Sequence, residues 1–255
     1  GPGQAGQQRG QGVDAMNAIV DTLATLRDAR LIVFDVRGNG GGSSVWGDRL
    51  VSALYGDELR AWVASQREGP GAYALWRASE ANLASLKTDL AKIESTLGAD
   101  TSAYRTWSRL IEDMSEALAS GTTWVQQTSG AVEGDAVAAA DEASATLEEP
   151  ESPVTATVVL LTDPYCGSAC LDFADELLVM PGVIHAGRQT GADTVYMDVS
   201  GERLPSGLGS YGIPRKVYRD RARGHNEPYD PVKRYDGNLG DDEAVRGWVR
   251  GLVER

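Results

Sequence analysis

Basic residues, histidines and cysteines are all scarce in this chain. Its 255 residues include 24 lysines and arginines against 37 aspartates and glutamates, a formal net charge of −13. Nucleic-acid binding needs lysine and arginine to neutralise phosphates, so this balance argues against a nucleic-acid partner. Two histidines and two cysteines, with no cluster at ligand spacing, do not make a metal site. We expect neither a metal nor an organic cofactor.

Long apolar runs are also missing. No segment approaches the roughly 20 apolar residues that a transmembrane helix requires, and the apolar core of a signal peptide is absent. Gly1-Pro2 has the form of a protease-cleavage scar. The rest of segment 1–12, rich in glycine and glutamine, is predicted to be flexible. We therefore expect the native N-terminus, with any export signal, to lie outside this sequence.

The chain does contain two apolar strands that end in residues suited to chemistry. Leu31–Phe34 is typical of a strand buried on both faces, and it leads through Asp35 into Gly40-Gly41-Gly42. Successive glycines let the backbone turn sharply and leave its N–H groups uncovered. A second apolar strand, Thr157–Leu161, leads to Ser168, which opens an apolar-periodic helix. Bare amides and a serine hydroxyl supply what acyl transfer needs: an anion-binding pocket and a nucleophile.

Helical periodicity surrounds the first strand. Apolar residues recur three and four apart from Val13 to Leu26, and another helix is predicted over about residues 44–54. Strand, helix and strand in this order imply right-handed βαβ crossovers and a mainly parallel sheet in an α/β fold. Catalytic groups then lie at the carboxyl ends of the strands, where Gly41 and Ser168 both fall.

Length and composition favour one domain with an insertion over two equal domains. At 42% hydrophobic residues the chain can bury one substantial core. We assign residues 13–69 and 153–255 to an α/β catalytic domain and residues 70–130 to an insertion. Residues 131–152, which are acidic and carry no lysine or arginine, are predicted to form a linker.

The insertion has the pattern of a helical hairpin. Apolar residues alternate three and four apart on both sides of Gly98, which predicts two antiparallel helices. Gly98 is suited to end the first helix, and Asp100 or Thr101 to cap the second. Two interpretations stay open: the hairpin packs its seam on itself, or it serves as a lid or docking arm beside the active site.

Several of these segments resemble motifs of the S41 family of serine peptidases, which includes the C-terminal processing proteases and the core of tricorn protease. Asp35–Gly42 resembles the family's first motif, a strand followed by Asp-Leu-Arg-x-Asn-x-Gly-Gly. Ser168-Ala169 is similar to its nucleophile motif, and Gly187–Gly191 to its Gly-x-x-Thr-x-Gly motif. Asn226–Asp230 is a weaker match to its C-terminal Pro-Asp element.

The resemblance covers residues 13–48 and 154–255 and carries definite expectations. It implies a ClpP/crotonase-like fold and an acyl-enzyme on Ser168. Amides of Gly41 or Gly42 and of Ala169 would form the oxyanion hole. Outside the resemblance, a serine at a helix start is more often an ordinary N-cap. The family also makes a periplasmic or secreted location an expectation, although the sequence itself names no compartment.

The general base is the part that the resemblance does not supply. The processing proteases carry a catalytic lysine where this chain has Asp193, and an ionised carboxylate is a weak base unless burial raises its pKa. Tricorn-like members use a histidine upstream of the first motif, where this chain has none, and a glutamate near the C-terminus. His185, on a predicted strand, and Asp193 are therefore the candidate bases. Glu227 is a candidate for the carboxylate that orients the base, although residues 226–228 are equally suited to a turn. A histidine on a strand is more often a core residue than a base, and His225 is suited to the surface.

Cys166 and Cys170 lie on either side of Ser168 and admit three interpretations. They are small side chains packed around a tight turn, or a disulfide at a short spacing, or Cys170 is itself the nucleophile. For Asp35 and Arg37 we expect an ion pair that orients the glycine turn rather than a part in the reaction.

Two classes of function follow from these residues. The first is a serine peptidase that acts on a peptide or protein substrate through Ser168. The second is an inactive S41-like module that binds peptides or proteins, an interpretation that the missing lysine favours. A third, acyl-CoA chemistry on a crotonase-type fold, is disfavoured because no basic cluster is present to hold the phosphates of coenzyme A.

Overall fold

A computed structural model describes residues 2–66, 72–128 and 148–253. The chain divides into two compact units. The first unit comprises residues 1–66, 147–193 and 226–255, and the second comprises residues 67–146 and 194–225. Residues 194–225, assigned from sequence to the α/β domain, thus group with the insertion. Most of the predicted acidic linker, residues 131–147, lies outside the described residues.

The elements follow one another along the chain as seven helices, one short 3₁₀ turn and eight strands within the described ranges. They are α1 (Pro2–Leu23), the 3₁₀ turn (Ala24–Leu26), β1 (Leu31–Asp35), α2 (Val45–Tyr55), α3 (Asp57–Ser65), β2 (Tyr73–Arg77), α4 (Glu80–Leu97), α5 (Ser102–Ser120), β3 (Trp124–Thr128), β4 (Thr157–Thr162), α6 (Ala169–Leu177), β5 (Val183–Gly187), β6 (Tyr196–Arg203), β7 (Ser210–Arg219), β8 (Lys233–Arg234) and α7 (Asp242–Arg250).

The first unit is built on the parallel sheet that the sequence predicts. Its strand order is β1-β4-β5-β8, and every neighbouring pair is parallel. Leu31 pairs with Thr157, and Val158 pairs with Val183. The α/β fold class with a parallel sheet is therefore confirmed. The carboxyl ends of β1 and β4 lie side by side, which brings the two motifs that follow them together.

Strand β4 explains why this sheet is apolar on both faces. Val158 and Leu160 point into one core, which helices α2 and α6 complete with Leu54 and Phe173. The alternate residues of the strand, with α7, form a second core on the opposite face. Side chains along a strand alternate between faces, so a continuous apolar run is what a doubly covered strand requires.

The second unit carries an antiparallel sheet that the sequence analysis did not predict. Its strand order is β3-β2-β7-β6. The predicted hairpin is present as helices α4 and α5, and its apolar side chains pack with residues of this sheet as well as with each other. Leu86 and Met114 share a buried core with Trp76 of β2 and Val125 of β3. The two helices thus pack their seam on each other, as one interpretation expects, and the same core also includes strands of the sheet.

The caps of the hairpin are those that the sequence predicts. The Thr101 hydroxyl accepts a hydrogen bond from the Tyr104 N–H at 3.3 Å. Gly98 ends α4 with φ +92°, a conformation that suits glycine. Between the two candidates for the second N-cap, the structure therefore selects Thr101 over Asp100.

The N-terminal segment differs from its prediction. Helix α1 begins at Pro2, so residues 3–12 are helical rather than a flexible lead-in. The helix ends at Leu23, and the predicted helical stretch up to Leu26 continues as a 3₁₀ turn. In the described part of the chain, no helix combines the length and apolar character needed to cross a bilayer.

Candidate active site

The glycine turn after β1 touches the turn that opens α6. A Cβ atom added at Gly41 would lie 2.7 Å from the Ser168 Cβ, 2.8 Å from the Gly167 carbonyl oxygen and 3.1 Å from the Ala169 nitrogen. Those distances are shorter than side-chain contacts allow, so only a glycine at position 41 permits this approach. Gly41 has a φ of +106°, a conformation that suits glycine. The first motif can therefore lie directly against Ser168.

Ser168 has an unusual backbone conformation. Its φ is +54° and its ψ is −125°, in a region that non-glycine residues rarely occupy. Although it stands at the N-cap position of α6, its side chain makes no capping hydrogen bond. The ordinary N-cap interpretation is therefore wrong. A strained serine on a sharp strand-to-helix turn is also how hydrolases expose a nucleophile.

A disulfide joins the residues on either side of this serine. Cys166 and Cys170 are bonded, with their Cα atoms 5.3 Å apart. Both are buried and pack against Leu171, Val36 and Tyr229. Because Cys170 is bonded to Cys166, it has no free thiolate and cannot be the nucleophile. Of the three interpretations of the two cysteines, the structure therefore selects the disulfide.

Hydrogen bonds from both strands hold the glycine turn in place. The buried Asp163, which follows β4, accepts hydrogen bonds from the Gly38 N–H at 3.0 Å and the Tyr165 N–H at 2.9 Å. The Gly167 N–H donates to the Asn39 carbonyl at 3.3 Å. Asp163 is not among the residues predicted from the sequence; a carboxylate placed directly after a buried strand is the signal that could have identified it.

The predicted ion pair of Asp35 and Arg37 is present. Their nearest side-chain atoms are 2.6 Å apart, and the Arg37 guanidinium also contacts Asp242 at 2.9 Å and the Leu239 carbonyl oxygen. Burial acts to raise the pKa of Asp35, but the contacts with Arg37 outweigh it and lower that pKa. Arg37 thus ties the glycine turn to the start of α7.

The three amides expected to form the oxyanion hole are not equivalent. The Gly41 N–H donates to the Asn39 side-chain oxygen at 3.0 Å and is therefore occupied. Within the described residues, the N–H groups of Gly42 and Ala169 have no acceptor in the protein. Ala169 is the first residue of α6, where helix geometry leaves the amide without a partner and favours negative charge.

The third motif, Gly187–Gly191, packs against the end of β4 and against the turn that precedes Ser168. A Cβ at Gly187 would lie 2.3 Å from the Thr162 carbonyl oxygen, and one at Gly191 would lie 2.9 Å from the Cys166 carbonyl oxygen. Thr190 is buried, and its hydroxyl accepts a hydrogen bond from the Tyr229 N–H at 2.9 Å. The glycines of this motif therefore allow β5 and the following loop to approach β4 and the turn before Ser168.

His185 is a core residue of β5. It is buried, and its Nε2 atom lies 2.8 Å from the Thr162 hydroxyl, which itself donates to the Arg188 carbonyl at 2.7 Å. The donor in this pair depends on the tautomer of the imidazole ring. Burial lowers the pKa of His185, and a backbone hydrogen bond with Asp230 and the charge of that residue oppose the shift only in part. In either tautomer, Nε2 is bonded to Thr162.

The candidate base Asp193 and the candidate orienting carboxylate Glu227 both occupy loops. The Asp193 carbonyl oxygen accepts a hydrogen bond from the Asn226 N–H at 2.8 Å. Glu227 follows that contact and is exposed. His225 belongs to the second unit, where its Nδ1 atom accepts from the Val195 N–H at 3.3 Å. Among the described residues, the Ser168 hydroxyl has no hydrogen-bond partner.

Neither a protein-family model nor a curated protein matches this chain. Solved structures do. Mature CPAF complexed with lactacystin is 11% identical, with a TM-score of 0.53 over 94% of this chain and 48% of that one. The chain has the fold of mature CPAF over this region. It spans about half the length of that structure.

Two further solved structures are similar over most of the chain. A protein from Bacteroides fragilis NCTC 9343 that is assigned to the S41 proteases is 13% identical, with a TM-score of 0.41 over 94% of this chain and 49% of that one. The photosystem II D1 C-terminal processing protease is also 13% identical, with a TM-score of 0.39 over 87% of this chain and 38% of that one.

Proposed function

We propose that this chain is the nucleophile-bearing part of an S41-type serine peptidase, which cleaves peptide bonds through an acyl-enzyme on Ser168. The backbone of Ser168 is the observation that carries the proposal. A structure that needed only a helix start would use the ordinary extended N-cap conformation, with the hydroxyl bonded to the backbone. Here the serine is strained, does not cap its helix, and faces a glycine turn with a free amide.

The chemistry would proceed in two steps. The Ser168 oxygen attacks the carbonyl carbon of the peptide bond, and the developing oxyanion accepts hydrogen bonds from the amides of Ala169 and Gly42. Collapse of the intermediate expels the amine, which takes a proton, and leaves an ester on Ser168. Water then hydrolyses this ester by the same route and restores the free serine.

The proton acceptor is the remaining element of the proposal. No described residue bonds to the Ser168 hydroxyl, and His185 is committed to Thr162. We infer that Asp193, which lies in the loop after the third motif, is the candidate base within the chain, and that Glu227, in a neighbouring loop, is the candidate for the carboxylate that orients the base. Neither bonds to the Ser168 hydroxyl in this structure, so either would act only after a bound substrate brings it to the serine.

A fluorophosphonate probe tests the nucleophile directly. Intact-mass analysis should show one adduct on the wild type and none on Ser168→Ala. Ser44→Ala is a matched control, because Ser44 is also an N-cap serine without a capping bond but has an ordinary φ of −65°. Labelling is measured on this chain and on the full product of its gene. Equal labelling of wild type and Ser168→Ala would reject Ser168 as the nucleophile.

A peptide- or protein-binding module without catalysis is the second candidate. The observation that favours it is the Ser168 hydroxyl without a base among the described residues. If neither the chain nor the full gene product is labelled, but peptides bind in isothermal titration calorimetry, this second function is the correct one.

A further inference from the structure

The most unusual covalent feature of the chain is the short ring that the disulfide closes around Ser168. Cys166 and Cys170 are four residues apart, and Ser168 is the central residue of the ring. Only 0% and 2% of the two cysteines is exposed. A disulfide that links such close residues restrains little of the unfolded chain, because its stabilising effect grows with the length of the loop that it closes. Its main effect is therefore local.

The ring is fixed to the rest of the first unit on its inner side. The disulfide packs against Leu171, Val36 and Tyr229, and the Tyr229 hydroxyl donates to Asp175 of α6 at 2.6 Å. The Cys166 carbonyl oxygen faces Gly191 at a distance that leaves no room for a side chain. Both ends of the ring are thus immobilised, while Ser168 between them is only partly buried.

The bridge and the strained serine are geometrically linked. If Ser168 took the extended conformation of an ordinary N-cap, the chain before it would run away from the helix. Cys166 would then separate from Cys170, but a disulfide requires Cα atoms within roughly 7 Å, and here they are 5.3 Å apart. A positive φ at Ser168 folds the chain back toward α6 and keeps the two cysteines in bonding range.

We propose that the Cys166–Cys170 disulfide is a positioning device that holds Ser168 in its strained, non-capping conformation. The part of this proposal that concerns the reactivity of Ser168 rests on the proposed function. The part that concerns the conformation of Ser168 does not depend on that function. When the bridge is absent, Ser168 relaxes to an ordinary N-cap, its hydroxyl bonds to the backbone of α6, and its reactivity is lost while the fold persists.

Stability measurements test the conformational claim without any activity. Ser168→Gly relieves strain only where φ is positive, so it should raise the melting temperature of the bridged protein. In the background Cys166→Ala/Cys170→Ala the same change should give no rise, because the serine is no longer strained. Ser44→Gly is the matched control and should give no rise in either background, since its φ is ordinary. An equal rise from Ser168→Gly in both backgrounds would overturn the proposal.

Labelling measurements test the consequence for reactivity. The rate of fluorophosphonate labelling should fall at least tenfold in Cys166→Ala/Cys170→Ala, at a temperature where circular dichroism shows that the variant is folded. An unchanged rate would overturn the positioning role. If the bridged protein is not labelled at all, the proposed function fails, and the melting-temperature comparison alone decides the claim about the bridge. Should the double variant not fold, wild type kept reduced with dithiothreitol replaces it in both experiments.

Discussion

At the scale of single residues, position 41 shows why glycine is needed where two turns touch. We expect Gly41→Ala to lower the melting temperature and to reduce fluorophosphonate labelling of Ser168 by about a hundredfold or more, since the added Cβ would overlap Ser168 and Gly167. The positive φ alone costs roughly 1–3 kcal/mol for a residue with a side chain. Differential scanning calorimetry and the labelling rate measure the two effects.

Gly40 provides the control for this change. A Cβ at Gly40 would meet no atom within 4 Å. Gly40→Ala should therefore keep both its melting temperature and its labelling near those of the wild type. If the two alanine variants behaved alike, the close approach of Gly41 to Ser168 would not matter for either property.

His185 is expected to titrate below its ordinary pKa of about 6.5, because burial disfavours the imidazolium. The folded state then binds its proton less readily than the unfolded state does. Its contribution to stability is therefore lost as the pH falls from about 6.5 to the lower folded pKa. Nitrogen-15 NMR should report this lowered pKa. An ordinary or raised pKa would contradict the buried position of the ring and return His185 to the candidates for the base.

The residues of the site could be predicted only where their chemistry depends on sequence motifs. Gly41, Ser168 and the pair of Asp35 and Arg37 follow from the pattern of a strand, charged residues and glycines. The φ of Ser168 could not be predicted, because a serine before a helix is compatible with both an N-cap and a strained turn. The disulfide was one of three interpretations that stayed open, since a spacing of four residues is compatible with bonded and with free cysteines.

At the scale of elements, three helices of the first unit meet at a cluster of charges. Arg60 of α3 is buried and contacts Asp48 of α2 and Glu176 of α6, the latter at 3.0 Å. Burial and the negative charge of Asp48 raise the pKa of Glu176 to about 7, although Arg60 acts against them. Since 37% of the Glu176 side chain is exposed, water weakens this shift but leaves its direction.

The raised pKa of Glu176 gives a stability effect of definite sign. Between pH 4.5 and 7 the folded state keeps a proton that the unfolded state releases, so this group stabilises the fold at low pH and loses that effect as the pH rises to about 7. The difference in unfolding free energy between wild type and Glu176→Gln should therefore change across this range in urea titrations. A constant difference for Glu176→Gln would show that its pKa is normal.

Helices and strands whose pattern is visible within a few residues could be predicted from the sequence. Strands that are defined by pairing with a distant segment could not. The helices of the hairpin and strands β1 and β4 have periodicities that are visible within a few residues. The antiparallel sheet was missed because β2 pairs with β7, and Tyr73 faces Arg219, far away in the sequence. Strand β6 also has a largely exposed, polar pattern, which does not distinguish it from a loop.

At the scale of the whole molecule, the disulfide makes the chain sensitive to where it folds. A ring of five residues is worth roughly 2 kcal/mol in the chain-entropy treatment, and such bonds persist in oxidising compartments. We expect protein made in an oxidising compartment to carry no free thiols, and protein made in a reducing cytosol to carry two. Alkylation under denaturing conditions followed by intact-mass analysis measures this. An equal number of free thiols in the two preparations would contradict this expectation, because the state of the disulfide would then not depend on the compartment.

The division into two units was only partly accessible from the sequence. A single α/β domain with an insertion describes the order of the segments, and the helical hairpin does belong to a separate unit. What the sequence did not indicate is that residues 194–225 return to that unit, because β7 pairs with β2, which lies much earlier in the chain. Such a boundary depends on strand pairing between distant segments.

The pairing of β1 with β4 also has a consequence for synthesis on the ribosome. Leu31 and its partner Thr157 are separated by 126 residues. At roughly 5–20 residues per second, β1 leaves the ribosome about 6–25 s before β4 exists. During that interval a strand of four apolar residues has no neighbour to bond with, and unpaired apolar strands invite association between nascent chains. The chain should therefore depend on chaperones that bind nascent polypeptides more than a protein whose first strand pairs with its second.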